Sequence, residues 1–183
     1  MSDVWHKAAL VEPPRILGVR LRPFSCWHAL CLDAFDSPYI QGGEPTTGTL
    51  LLALMVCVDR RRDRLRSLKL FNASPVRRWL WAARCLMFNE QAAQVAFEQY
   101  VSEFTDSPAV WAPKGGKSSK ASVPYSVVVT IAGHLSSIDL DQAWDMPMGE
   151  ALCYRACVAE ENGANLVGDD LEKAREAWAK AAA

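Results

Sequence analysis

The stretch SIDLDQAWDMPMGEALCYRACVAEENG, Ser137 to Gly163, constrains the fold of this chain more than any other. Asp139 and Gln142 stand at capping-box spacing, so a helix starts there with its first orphan N–H groups satisfied by side chains. Pro147 disfavours α geometry at Met146 and predicts a break. A second helix follows, capped by Asp145 or Met146, with Pro147 in its first turn. In that second helix Gly149, Leu152, Cys153, Ala156 and Cys157 share one face. All but Leu152 are small, which lets a neighbouring helix approach closely. Asn162-Gly163 then supplies residues that tolerate the left-handed conformation of a helix end.

The preceding chain shows the same kind of signal. Ser25 caps a predicted helix over Phe24–Phe35, with Trp27, Leu30, Cys31 and Ala34 at helical spacing. The turn-rich stretch Tyr39–Thr47 leads to Thr46 or Thr47 as cap of a helix reaching Val58. Leu50, Leu51, Leu54, Met55 and Val58 form its main face, with Leu52 and Val56 outside it; a helix apolar on most sides sits at the centre of a fold or at an interface. Ser74 and Pro75 open another helix, with Trp79, Ala82, Ala83, Leu86 and Met87 as its apolar stripe. Asn89 either interrupts it or lets it run on through Gln91–Phe104. Val123–Leu135 is read as a helix in preference to a strand, although Val127–Ile131 is β-branched. Asp169–Lys180 is a last Ala-rich helix with its acids first, as the helix dipole favours. Ile16–Arg22 alternates and reads as a short strand or hairpin, with an exposed edge available to another chain.

These elements predict an all-α, compact multi-helix domain with one short N-terminal strand or hairpin. Residues 1–15 form an irregular arm and 16–104 a helical half. The Pro-, Gly-, Ser- and Lys-rich stretch 105–122 is a flexible loop, and 123–183 is the C-terminal half of the same domain. Half of the 183 residues are hydrophobic, which is sufficient for a core. The longest apolar run, Leu50–Val58, is about half of the ~18 residues a membrane span needs. The N-terminus lacks the apolar region of a signal peptide, so Cys26, Cys31, Cys57, Cys85, Cys153 and Cys157 are expected as reduced thiols in a soluble, cytoplasmic protein.

A net charge of −1 gives no global attraction to nucleic acid or to an anionic membrane. The distribution is uneven, however. Arg60, Arg61, Arg62, Arg64, Arg66, Lys69, Arg77, Arg78 and Arg84 crowd one region, and most acids lie toward the C-terminus. This basic patch suits a phosphate backbone, or, more simply, a solvated helix face or an intramolecular partner for the acids. No residue set amounts to an active-site signature. His28, Cys31, Cys153 and Cys157 have the chemistry of a zinc site but not its knuckle spacing. A cysteine paired with His134 lacks any mark of activation. Asp139, Asp141 and Asp145 are better explained in part as caps, and neither Gly42-Gly43 nor Gly115-Gly116 has the lysine and helix of a phosphate loop. A non-enzymatic protein without cofactors is expected.

The pattern Ala143-Trp144-Asp145-Met146-Pro147, Glu150-Ala151-Leu152, Ala159 and Gly163 resembles the C-terminal half of the phage tail assembly chaperones. The block Leu17–Val58, with its Arg-Pro-Phe turn and GGEPTTG loop, is similar in style. The resemblance implies a protein of the bacterial host cytoplasm. It would bind the long, apolar, helical tape measure protein, prevent its aggregation during tail assembly, and be absent from the finished particle. Such a task needs apolar grooves between helices. Leu50, Leu51, Leu54, Met55, Trp144, Met148 and Leu152 are the contact candidates, though each is also an ordinary core residue. Other tail proteins, or further copies of the chain, are alternative partners. A virion structural component, such as a head–tail connector or tail completion protein, and a nucleic-acid-binding accessory are the alternative functions.

Overall fold

The computed structural model describes residues 12–105, 109–111, 123–135, 137–163 and 165–167. The hairpin comes first. β1 (Arg15–Ile16) pairs antiparallel with β2 (Val19–Arg20) through Leu17-Gly18. Both turn residues have positive φ, 50° and 71°, as a two-residue hairpin that follows strand twist requires. The pairing partner of this edge lies within the same hairpin. The hairpin's exit is fastened to the core: the Arg22 N–H donates to the Cys57 carbonyl at 2.9 Å, and the Tyr100 hydroxyl donates to the Arg22 carbonyl at 2.6 Å.

The helices follow in the order α1 (Cys26–Ala34), α2 (Pro38–Gln41), α3 (Thr47–Val58), α4 (Arg66–Ala73), α5 (Pro75–Met87), α6 (Glu90–Thr105), α7 (Val123–His134), α8 (Leu140–Asp145) and α9 (Met148–Glu161), with a 3₁₀ turn at Arg61–Asp63. The mainly helical class expected from the sequence is what the chain adopts, and Val123–His134 is a helix despite its β-branched run. Thr46 caps α3 with Thr49 as its reciprocal partner, Asp139 caps α8 with Gln142, and the Ser74 hydroxyl accepts from the Arg77 N–H. Asn89 separates α5 from α6, and its side-chain oxygen accepts from the Ala92 N–H at 3.2 Å.

The break at Pro147 differs in detail from expectation. Pro147 itself is the N-cap of α9, with no side-chain cap, and neither Asp145 nor Met146 fills that role. The start of α9 is held from outside instead. The Met148 N–H donates to the Phe24 carbonyl at 2.6 Å, and Ser25 forms a backbone bridge with Pro147. A chain segment far away in sequence therefore caps α9. Gly163, at φ 86°, ends α9 as expected. The buried face of α9 is Met148, Gly149, Ala151, Cys153 and Ala156, and Cys157 is exposed. The predicted small-residue face is thus rotated, because α9 packs mainly on α7 and also on α6.

A second strand pair was not expected. β3 (Ala109–Trp111) lies inside the stretch read as a loop and pairs antiparallel with β4 (Asn165–Val167). The expected helix Asp169–Lys180 and most of residues 1–15 lie outside the described residues. The core is one cluster running from Ile16 to Ala151, centred on α3 and on Phe24, Phe97, Tyr100 and Ile131. Phe24, Tyr39, Phe97, Tyr100 and Phe104 stack in a chain of tilted and edge-on contacts 4.6–5.7 Å apart, geometries that the ring quadrupole favours. No helix among the described residues is long and apolar enough to cross a membrane.

Candidate functional site

The residues nominated for partner contact divide by burial. Leu50, Leu54, Met55, Trp144 and Met148 are buried in the core, and Leu51 and Leu152 are half-buried against it. α3 is central rather than peripheral, since Ala53, Val56 and Cys57 are buried as well. The five buried side chains are spent on the core, while Leu51 and Leu152 keep part of their surface open. A helix apolar on most sides sits at the centre of a fold, which agrees with the ordinary core reading of these residues.

The basic segment is shaped by an unusual corner. Arg64 and Leu65 are both left-handed, with φ of 50° and 56°, a conformation costly for residues with a side chain. Leu65 is the N-cap of α4 and has no side chain to cap it. Asp59 takes over that task from the end of α3. Its carboxylate accepts from the Ser67 N–H at 2.6 Å and the Ser67 hydroxyl at 2.8 Å, close to the positive end of the helix. The Asp59 carbonyl accepts in turn from His28 Nε2 at 2.7 Å. His28 Nδ1 accepts from the Ser25 N–H at 3.1 Å, so the proton sits on Nε2 and the ring is neutral. Burial pushes its pKa below the usual value, against the raising effects of the Asp59 carbonyl and the Asp145 charge. His28 thus completes the capping box of α1, with histidine in the place usually taken by Glu or Gln.

Beyond this corner, a cleft of about 620 Å³ is lined by Trp27, Arg61, Arg62, Arg64, Asp139, Asp141, Gln142 and Asp145. Arg61 forms an ion pair with Asp141, its N–H donates to the Asp145 carboxylate at 3.0 Å, and its guanidinium lies 5.6 Å from the Trp144 ring centre. Three arginines face three aspartates here, and Asp139 is committed as a cap. The intramolecular pairing of basic and acidic segments accounts for Arg61. Arg62, Arg64, Arg66, Arg77 and Arg78 are exposed, and Arg60 is half-buried.

The most prominent unsatisfied feature is α5. It has no buried residue, while Val76, Trp79, Leu80, Leu86 and Met87 are all exposed, Trp79 at 68% and Leu86 at 89%. Only Trp81 and Cys85 of this helix pack on the core, and Arg84 lies 5.1 Å from the Trp81 ring centre. At 3.6 residues per turn, Trp81 and Cys85 lie about 180° from the centre of the arc containing Val76, Leu80, Ala83, Leu86 and Met87. The larger apolar face consequently points away from the body of the protein. Its periodicity was legible in sequence, but its outward direction was not.

Among the described residues no group of three or more His, Cys, Asp or Glu side chains is arranged to hold a metal ion. His28 is spent on Ser25 and Asp59, so the zinc arrangement with Cys31, Cys153 and Cys157 does not form. His134 is exposed at the end of α7, with Nδ1 donating to the Thr130 carbonyl at 2.9 Å. All six cysteines are free. Burial pushes the thiols of Cys26 and Cys31 up to about 12 and raises Cys57 further, so these remain protonated and inert at neutral pH. Titration with Ellman's reagent is expected to modify Cys157 first and Cys85 more slowly. Cys26, Cys31, Cys57 and Cys153 should react only on unfolding. Rapid modification of three or more thiols in the folded protein would contradict this packing.

Comparison with protein-family models, with curated proteins and with solved structures gives no match to this chain.

Proposed function

We propose that this protein is a non-enzymatic tail assembly chaperone of a tailed phage or prophage, which binds the tape measure protein and keeps it from aggregating before the tail tube forms. The observation that carries this reading is the outward apolar face of α5. Val76, Trp79, Leu80, Leu86 and Met87 form a contiguous exposed apolar face on one helix, a feature that marks a docking surface. The resemblance in Ala143–Pro147 and Glu150–Leu152 supports the kind of partner. The residues of that resemblance serve the fold: Trp144 and Met148 are core, and Pro147 joins α8 to α9. Docking is therefore assigned to α5 instead of to α3 and α9.

The reading requires that the protein suppress the aggregation of a tape measure protein from the same tail module. Light scattering of that protein diluted from denaturant should fall by more than half with an equimolar amount of this chain. Unchanged scattering at several-fold excess would end the proposal. Mass spectrometry of finished particles separates it from a virion component, which would be present in many copies.

A further inference from the structure

The charge around α5 says more about what docks there. Between Asp63 and Glu90 the chain carries Arg64, Arg66, Lys69, Arg77, Arg78 and Arg84 and no carboxylate. By helical position Arg77 and Arg84 border the Leu80 side of the exposed apolar arc, while Arg78 lies round toward Cys85. The arc itself, Val76, Trp79, Leu80, Ala83, Leu86 and Met87, repeats at three- and four-residue steps. It spans about 120°, the width of a helix-pairing seam. The opposite side, with Trp81 and Cys85, is seated on the protein.

We propose that this face pairs with an amphipathic helix of a partner protein whose own apolar stripe is bordered by Asp or Glu. Apolar burial along the seam supplies the attraction, and the carboxylates meeting Arg77 and Arg84 set the choice of partner. A second copy of the chain fits poorly. Pairing α5 with itself brings no acid to meet Arg77 and Arg84 of the other copy. The inference rests on the chaperone reading for the kind of polypeptide that carries the helix, while its charge rule stands on α5 alone.

The test uses the full-length protein and two synthetic helical peptides with the same apolar stripe, one flanked by Glu and one by Lys, followed by fluorescence anisotropy. At low salt the Glu-flanked peptide should bind at least about tenfold more tightly, and the difference should shrink as salt screens the flanks. Leu86→Asp should abolish binding of both peptides without changing the helical circular dichroism. The double variant Arg77→Glu/Arg84→Glu should reverse the preference. Equal affinity for the two peptides would overturn the charge rule and leave the chaperone reading intact, since that reading answers to the scattering assay. Binding of neither peptide, with binding instead to phosphatidylglycerol vesicles or to duplex DNA, would assign the face to lipid or to nucleic acid and overturn the proposal. So would self-association in sedimentation that Leu86→Asp removes, which would make a second copy the occupant.

Discussion

Leu54→Ala is expected to destabilise the protein by about 3 kcal/mol, within the ~2–5 kcal/mol that buried leucine truncations cost, whereas Leu86→Ala should change stability by less than about 0.5 kcal/mol. The two leucines are chemically identical and both lie on apolar helix faces. Leu54 is 0% exposed at the centre of α3, with the core closed around it. Its truncation removes apolar burial and leaves a cavity that close-packed neighbours fill only in part. Leu86 is 89% exposed, so its truncation removes almost no contact from the folded state. Peptide binding should show the opposite order: Leu86→Ala loses affinity, and Leu54→Ala binds normally in the folded fraction. Urea unfolding of the two variants, with binding measured well below the midpoint, gives both readings. Comparable destabilisation would mean that the Leu86 face of α5 packs against the body of the molecule, and the docking assignment would fail with it.

That contrast also marks where the sequence was informative. Caps are local, an interaction between residue i and residue i+3, so Ser25, Thr46, Ser74 and Asp139 were readable and all four side chains cap as their spacing implies. Periodicity gave the stripes of α3 and α5, but a stripe states that a helix is one-sided, not which side faces inward. On α5 two residues off the stripe, Trp81 and Cys85, make the inner contact and leave the richer face outside. On α3 apolarity was compatible with either a core or a docking surface, and only the packing of its neighbours decides for the core. Pairings across long separations left no local trace. β3 meets β4 more than fifty residues later, and Phe24 caps α9 from the other half of the chain. The same is true of His28, which reads as a lone histidine until Asp59 is brought to it by the end of α3.

The His28–Asp59 contact predicts an acid sensitivity that starts unusually high. His28 is neutral in the folded protein with its pKa pushed below the ordinary 6.5, while in the unfolded chain it titrates near 6.5. Above that pH both states carry a neutral ring and stability is complete. As pH falls below about 6.5 the unfolded state takes up a proton that the folded state refuses, so stability declines, with a limiting slope of about 1.4 kcal/mol per pH unit. The decline continues until the pH reaches the lowered folded value. His28→Gln separates this effect from acid titration of carboxylates elsewhere. Glutamine at this position keeps a capping box with Ser25 but leaves the Asp59 carbonyl without its donor, at a cost of about 1–3 kcal/mol near pH 7.5. It does not titrate, so the gap between wild type and variant should narrow as the pH falls below 6.5. Denaturant unfolding at three pH values across that range measures the gap directly. A gap independent of pH would mean that His28 takes up its proton in the folded state, and the single-tautomer link between α1, α3 and α4 would have to be abandoned.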